Sequence, residues 1–402
     1  MSVAWKIFML AAVSFLVGSS EYMIAGILDK VASDTGVSLS AAGQLLTAFS
    51  LAFAFGTPIL MAATARLNRR TLLLYALILF VISNALVVVL PGYGLLLAAR
   101  VVMALATGVF VVAALTVAAR LAPEGKQGAA IATVLMGISA SLIAGVPVGR
   151  VIAAIYDWKL IFVGIGVLSL LALPIVALSI PRTESEQAVP LRRQLAMMLE
   201  PRVALALGIT FFWIVGYSTI FTYISPYLLK VAGFSDRLVS LALFGYGIAS
   251  LVGSKAGGWG TDRWGVAPTL VGGMVLNMLM LTVLSVAAQT TPILVSALLM
   301  LWSFFSWSSA PTQQYYLITL APAASGIMLS LNTSVLQFAM AVGSGLGGFV
   351  IDGLSLKAIT WIAAVLVAVA AVIAVISLGA TGLRFRRGTS QLERRDTNED
   401  IV

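Results

Sequence analysis

The order of apolar and polar residues divides this chain into long apolar runs separated by short polar breaks. A run of about 18 or more apolar residues is long enough to cross the hydrocarbon core of a bilayer as a helix. The runs are apolar on every face and lack the alternating pattern of a barrel strand. We therefore predict an all-α integral membrane protein with twelve transmembrane helices, at residues 7–28, 41–64, 71–90, 94–120, 128–155, 160–180, 203–229, 237–258, 267–288, 292–320, 326–351 and 357–379.

A long polar stretch in the middle of the chain separates six apolar runs from the next six. The two sets echo one another, since the tripeptide Leu-Ala-Pro at 121–123 recurs at 320–322, and Gly149 and Gly348 have the same spacing. Duplicated six-helix halves are typical of transporters, because a site between the halves can open alternately to either side. The predicted organisation is an N-terminal bundle at 1–180, a cytoplasmic linker at 181–202, a C-terminal bundle at 203–379 and a disordered cytoplasmic tail at 380–402.

Charge and composition set the orientation and exclude several functions. The chain is 60% hydrophobic and 10% charged, and its net charge of +9 comes mostly from Lys and Arg in the loops on one side. By the positive-inside rule both termini are cytoplasmic, and nucleic acid is not an expected partner. The chain has no cysteine and no histidine and lacks a phosphate-binding loop. We therefore expect no enzymatic activity, cofactor or metal, and partners limited to a small solute, protons and the bilayer, with the protein a monomer.

Three motifs carry a family resemblance: "RVVMALATGVF" from Arg100, "GVPVG" from Gly145, and "GGWGTDRWG" from Gly257. With them the whole chain resembles the major facilitator superfamily, and within it the twelve-helix drug:proton antiporters. The stretches "SWSSAPTQQYYLITLAP" and "LNTSVLQFAMAVGSGLGGFVID" resemble bacterial efflux transporters for purine bases and nucleosides. The resemblance implies two pseudo-symmetric six-helix bundles, alternating access, and a place in the bacterial cytoplasmic membrane.

The resemblance also assigns gating roles to several motif residues. The cluster Arg66, Arg69 and Arg70 is first a determinant of topology and second a gating loop. This loop departs from the family pattern, because Ala65 and Asn68 replace an acid and a glycine. In "GVPVG", small residues permit close helix packing and proline bends the helix, and the resemblance implies a seal against proton leak. The full gating set is Arg66, Arg69, Arg70, Gly145, Pro147, Gly149, Asp262 and Arg263, and we expect Arg150 to extend to the outer boundary of the membrane.

Glu21 is the only acid that lies well inside a predicted span. A carboxylate at the centre of a membrane helix costs about 2.5–3.5 kcal/mol on insertion scales, which favours a functional role. Arg100 is a second charge inside a span, at a similar predicted depth. We predict that Glu21 and Arg100 form a proton-coupling pair, in direct contact or through water. The alternative is a fixed ion pair that holds the first half together.

Amide and aromatic side chains concentrate in the second half of the chain. Amides donate and accept hydrogen bonds and aromatic faces stack on flat rings, so the set suits a neutral planar solute such as a purine base or nucleoside. An amphipathic drug is the alternative substrate, and a non-transporting membrane sensor of the same fold is an alternative function. Each single aromatic residue has the alternative role of helix packing. The predicted substrate-binding residues are Tyr22, Trp213, Tyr217, Phe221, Trp307, Gln313, Asn332 and Gln337.

Overall fold

The computed structural model describes residues 2–123, 126–181 and 196–380, and within them it is almost entirely helical. Twelve helices in these ranges are long and apolar enough to cross a membrane, which confirms the predicted number. They are α1 (Val3–Thr35), α2 (Leu39–Ala63), α3 (Arg69–Val89), α4 (Tyr93–Leu121), α5 (Gln127–Ile155), α6 (Lys159–Ser179), α7 (Pro201–Phe221), α8 (Asp236–Trp264), α9 (Val266–Ala287), α10 (Pro292–Leu320), α11 (Ser325–Gly353) and α12 (Ala358–Ala380).

Local sequence explains where several helices begin. The side chains of Ser2, Ser38 and Ser235 each accept a hydrogen bond from a backbone N–H in the first turn of the helix that follows. Asn68 does the same for α3. These caps satisfy N–H groups that have no partner inside the helix. Asn68, which departs from the family pattern of its loop, therefore has a structural role as a cap.

The seventh predicted span, 203–229, is interrupted. Helix α7 ends at Phe221, and after Thr222 and Tyr223 a short helix runs over Ile224–Lys230. Pro226 lies four residues after Thr222 and has no N–H to donate to the Thr222 carbonyl, so the regular ladder cannot continue. The sequence remains apolar through the break, which is why hydropathy predicted one continuous helix.

The same helix pairs recur in the two halves. In the first half α1 packs on α5 and α6, α2 packs on α4, and α3 packs on α4 and α6. In the second half α7 packs on α11 and α12, α8 packs on α10, and α9 packs on α10 and α12. Each pair in one half thus has its counterpart six helices later, which makes the two bundles pseudo-symmetric as predicted.

The halves meet at the end of the molecule away from the described chain ends, which we call the distal end. It comprises the loops at 36–38, 90–92, 156–158, 231–235, 288–291 and 354–357. Here α2 packs on α11, α5 packs on α8, and α1 packs on the short helix Ile224–Lys230. The Thr47 and Ser344 hydroxyls lie 2.7 Å apart between α2 and α11. The Ser225 hydroxyl of the short helix donates to the Gly26 carbonyl of α1 at 2.8 Å, so contacts between the halves close the distal end.

Two of the helices at this interface contain a wide, π-helical turn. The turn covers Ala52–Gly56 in α2 and Ser141–Gly145 in α5. Their partners α8 and α11 are regular α-helices throughout. The predicted linker 181–202 lies mostly outside the described residues, at 182–195, and so does the predicted tail beyond Ala380.

Candidate functional site

Glu21 lies on α1, at mid-depth and facing the second half. Its side chain is buried, with 6% of its surface exposed, and among the described acids no other is buried. The Gln337 amide on α11 donates to Glu21 Oε1 at 3.0 Å. Next to it, the half-buried ring of Tyr22 meets Phe221 of α7 edge to face, with 6.4 Å between ring centroids. Glu21 and Tyr22 therefore bring the first half into contact with predicted site residues of the second.

Arg100 lies beside Glu21 but contacts the backbone of α1. The fully buried guanidinium donates to the Ser20 carbonyl at 2.7 Å and to the Glu21 carbonyl at 3.1 Å. It also lies over the ring of Phe49, 4.5 Å from the centroid. No ion pair within 4.0 Å joins the two side chains in the described structure. A carbonyl in a helix keeps a second lone pair, so these two oxygens can hold the cation at a distance from the carboxyl.

Two of the predicted amides bond to their own half of the protein. Gln313 on α10 donates to the Ala206 carbonyl at 2.6 Å and to Thr210 Oγ1 at 3.0 Å. Thr210 on α7 donates in turn to Asn332 Oδ1 on α11, at 2.7 Å. Asn332 and Gln313 thus join α7, α10 and α11 into one network. Gln337 is different, because its bond crosses between the halves. Its own oxygen, like that of Gln313, has no hydrogen-bond partner.

An aromatic cluster in the second half faces Glu21 and Tyr22. Tyr217 stacks on Phe221 with centroids 5.1 Å apart, and its ring meets Trp307 edge to face at 5.9 Å. Trp213 lies one turn earlier on α7 and donates to Ser306 Oγ at 3.1 Å, so it is tied to α10. Ring contacts therefore join four of the predicted aromatic residues: Tyr22, Phe221, Tyr217 and Trp307.

Tyr246 and Trp302 complete this cluster and are absent from the predicted binding set. Tyr246 donates to the Tyr217 hydroxyl at 3.0 Å and stacks on Phe221 at 5.8 Å. Trp302 lies 5.4 Å from Tyr246, is fully buried, and its indole N–H has no hydrogen-bond partner. The available signal for Tyr246 was an aromatic residue between two glycines in α8, which hydropathy alone does not distinguish from packing.

The "GVPVG" residues of α5 pack against the part of α1 that carries Glu21. A side chain at Gly145 would overlap Ser19, and one at Gly149 would overlap Met23. Pro147 is the second residue of the α-helix that resumes after the π-helical turn. The motif thus allows the close approach of α5 to α1 that its small residues indicate.

The remaining motif residues lie at the end of the molecule opposite the distal end. Arg66 is exposed, Arg70 is half-buried, and Arg69 is buried in the first turn of α3. Asp262 and Arg263 are exposed in the last turn of α8, where the Arg263 guanidinium lies 5.4 Å from the Trp259 ring centroid. The site at mid-depth does not include them.

The expectation for Arg150 is wrong. Its side chain does not extend outward but is fully buried in the protein, and it forms ion pairs with Asp29 of α1 and Asp236 of α8. The two carboxylates neutralise the charge of the guanidinium, so Arg150 does not need to reach water.

Comparison with known proteins identifies the family. The model of the Major Facilitator Superfamily matches residues 10–328 and, a second time, residues 207–395. The chain belongs to the Major Facilitator Superfamily. Two overlapping matches to one family model agree with the repeated helix pairs of the two halves.

Relatives of this superfamily member cover almost its full length. It is 54% identical over 370 residues to the MFS-type transporter YbcL of Bacillus subtilis (strain 168), which covers 92% of this chain and 95% of the relative. It is 32% identical to a chloramphenicol resistance protein of Streptomyces lividans, over 84% of this chain and 86% of the relative. A solved structure of a bacterial homolog of the human lysosomal transporter Spinster, inward-facing and occupied, has a TM-score of 0.78 at 16% identity and covers 96% of this chain and 99% of that one. The protein is thus a multi-pass membrane transporter of this superfamily.

Proposed function

We propose that this transporter is a proton-coupled efflux antiporter that exports a small, neutral, planar solute such as a purine base or nucleoside. The observation that carries the proposal is the Glu21–Gln337 hydrogen bond, which joins a buried carboxyl in one half to an amide in the other. A titratable group at the meeting point of two halves can link its proton to their relative movement. The closed distal end corresponds to the outer face when both termini are cytoplasmic.

The proton acts through the strength of this hydrogen bond. An ionised carboxylate accepts from an amide more strongly than a neutral carboxyl does, so loss of the proton favours the Gln337 contact. Protonation weakens the contact and makes Glu21 less costly to bury in an apolar setting. Arg100 remains on the backbone of α1 and supplies a nearby positive charge that stabilises the ionised form. The two protonation states therefore favour different arrangements of the halves.

The available energy is sufficient for efflux. A proton that moves inward releases about 2.3 kcal/mol for each 100 mV of membrane potential. At one proton per solute this corresponds to about fiftyfold accumulation of a neutral solute, before any pH gradient is added.

The proposed solute class follows from the groups around Glu21. The aromatic faces of Tyr22, Tyr217 and Phe221 provide flat contact surfaces. The Gln337 oxygen is an acceptor without a partner, and the Trp302 indole N–H is a donor without one. Buried polar atoms of this kind are costly unless a ligand or water satisfies them. A flat heterocycle that carries both a donor and an acceptor matches this set.

Uptake into inverted membrane vesicles tests the proposal. With an imposed gradient that is acidic inside, an efflux antiporter accumulates its solute in the vesicle in exchange for protons. Nucleobases, nucleosides, chloramphenicol and lipophilic cations are the solutes to compare, and vesicles without the protein are the control. Gradient-dependent uptake of a purine compound supports the proposal, and uptake that ignores the gradient for every solute contradicts proton coupling.

A second candidate function is efflux of amphipathic drugs. It is favoured by the relative named as a chloramphenicol resistance protein, since that name describes resistance to a drug. The same vesicle experiment separates the candidates, because drug efflux predicts uptake of chloramphenicol or lipophilic cations without uptake of purines.

A further inference from the structure

Four charged side chains meet at the distal end, where α1, α5 and α8 come together. Arg150 of α5 forms ion pairs through one guanidinium nitrogen with Asp29 and through another with Asp236. Lys30 lies 3.5 Å from the same Asp236 oxygen. The Arg150 side chain is fully buried, Asp29 is 14% exposed and Asp236 is 44% exposed. Two cations and two carboxylates thus form a balanced cluster with one deeply buried member.

A kink in α1 adds a backbone acceptor to this cluster. Ile27 has non-helical backbone angles, and the Gly26 carbonyl just before it accepts from Arg150 at 3.2 Å. The same carbonyl accepts from Ser225 Oγ, at 2.8 Å, in the short helix after α7. The Gly26 carbonyl at the kink therefore accepts hydrogen bonds from both halves, from Arg150 of the first and from Ser225 of the second.

The contacts of this cluster divide into two kinds. Arg150 with Asp29, and Arg150 with Gly26, lie inside the first half and survive any rigid movement of the halves. Asp236 with Arg150, and Asp236 with Lys30, cross from the second half to the first. When the distal end opens, Asp236 leaves both cations. Arg150 keeps Asp29, so the buried arginine is never left without a carboxylate.

We propose that the distal end acts as a gate, that Asp236 stabilises its closed state, and that Asp29 neutralises Arg150 when the gate is open. Asp236 holds the distal end closed through Arg150 and Lys30, and it can leave at low cost because it is already partly in water. Asp29 makes opening possible, because an unpaired buried arginine would strongly disfavour the open state. The two acids therefore have opposite effects on the gate although both bind the same arginine. This inference rests on alternating access in the proposed function, and it does not depend on the solute or on proton coupling.

A single introduced cysteine reports the opening of the gate. The native chain contains no cysteine. Ser344 is 1% exposed and lies at the α2–α11 contact, away from the charged cluster. In Ser344→Cys protein, a small impermeant thiol reagent reacts only when the distal end opens. Its rate is measured on purified protein in lipid nanodiscs, at fixed pH and without solute.

Asp236→Asn should raise the labelling rate about tenfold, equivalent to about 1.4 kcal/mol in the closing equilibrium. Asp236→Glu, which keeps the charge, should stay close to the parent rate. Asp29→Asn should lower the rate, because Arg150 then has no carboxylate once Asp236 departs. The control is Glu200→Gln, an exposed acid just before α7 at the end of the molecule opposite the distal end, which should leave the rate unchanged.

Labelling rates that change in opposite directions for Asp236→Asn and Asp29→Asn support the proposal. Rates that change in the same direction for both variants overturn it. An unchanged rate in Asp236→Asn also overturns it. If Asp236→Asn does not fold, Lys30→Gln is the alternative variant, because it removes the contact between Lys30 and Asp236. Its labelling rate should rise by less than tenfold, and an unchanged rate contradicts the proposal. If proton-driven transport fails in vesicles while the labelling rates change as expected, the proposed function is rejected and the proposed roles of Asp236 and Asp29 are retained.

Discussion

The amide nitrogen of Gln337 lies 3.0 Å from Glu21 Oε1, and this hydrogen bond joins α11 to α1 at mid-depth. The other polar contacts described between the halves lie nearer the distal end, at Thr47–Ser344, Ser225–Gly26 and the Asp236 cluster. Glu21 is thus at the inner limit of a closed interface. Its hydrogen bond is the contact through which a proton can act on that interface.

Glu21→Gln should uncouple transport from protons. The glutamine keeps the size of the side chain and cannot ionise, so the protein should still exchange solute down its gradient but lose the response to an imposed pH gradient. Vesicle uptake and counterflow measure the two activities separately. Glu200→Gln, at an exposed position just before α7, is the matched control. Accumulation by Glu21→Gln with normal proton dependence would show that another group carries the proton.

Gln337→Ala should weaken solute binding by about 1–3 kcal/mol, because it removes a buried amide that has an unused acceptor next to the aromatic cluster. Isothermal calorimetry on detergent-purified protein measures the loss. Gln314→Ala is the control, since Gln314 is exposed on α10. Equal affinities in Gln337→Ala and the parent would place the solute elsewhere.

Asn332→Ala should lower the stability of the second half more than it lowers solute affinity. Asn332 accepts from Thr210, which also accepts from Gln313, so its removal opens a buried network. The expected loss of stability is about 1–3 kcal/mol, measured by unfolding in detergent. Thr210→Val should cost a similar amount, and the double variant should cost less than the sum. Additive losses would mean that the two residues do not share this bond.

Gly247→Ala should disfavour the closed distal end. A side chain at Gly247 of α8 would overlap the backbone of Ile143 and Leu142 in α5, and backbone atoms cannot move aside as a flexible side chain can. The labelling rate of Ser344→Cys protein should therefore rise. Gly272→Ala on α9 has open space around it and gains the same helix propensity, so its rate should match the parent. Identical rates for the two variants would show that α5 and α8 separate little during opening.

Both termini should be cytoplasmic. Cysteine introduced at Ser185, in the predicted linker and outside the described residues, should not react with an impermeant maleimide in intact cells. Cysteine at Val37, in a distal loop between α1 and α2, should react. The reverse pattern would invert the orientation and with it the meaning of the distal gate.

The sequence contained enough to predict the spans, and less to predict which side chains meet. Helix number follows from run length alone, because every backbone polar group in a bilayer has to be satisfied inside a helix. Hydropathy could not reveal the break after Phe221, where the chain stays apolar. The Gln313–Thr210–Asn332 network was also beyond prediction, since an amide looks the same in sequence whether it bonds a helix or a solute.

The partners of charged residues were still harder to predict from the sequence. Arg150 lies far along the chain from both Asp29 and Asp236, and only the packing of α1, α5 and α8 brings them together. Glu21 was identifiable because an acid in an apolar run is costly wherever it ends up. The side chain that binds Glu21 could not be identified from the sequence. Arg100 and Gln337 are both polar residues inside spans, and only the structure shows which of them contacts the carboxyl.

Among the residues that the structure describes, π-helical turns occur in the first half alone and give it a mechanical property that the second half does not share. A π turn holds one more residue than an α turn, and the extra residue can move along the helix as successive backbone hydrogen bonds change partner. Helices α2 and α5 each contain such a turn, and each lies against a regular helix, α11 or α8, of the other half. The interface therefore pairs a deformable surface with a stiff one. Elastic strain during opening would collect at Ala52–Gly56 and Ser141–Gly145, where a shift in backbone register absorbs it without unfolding a span.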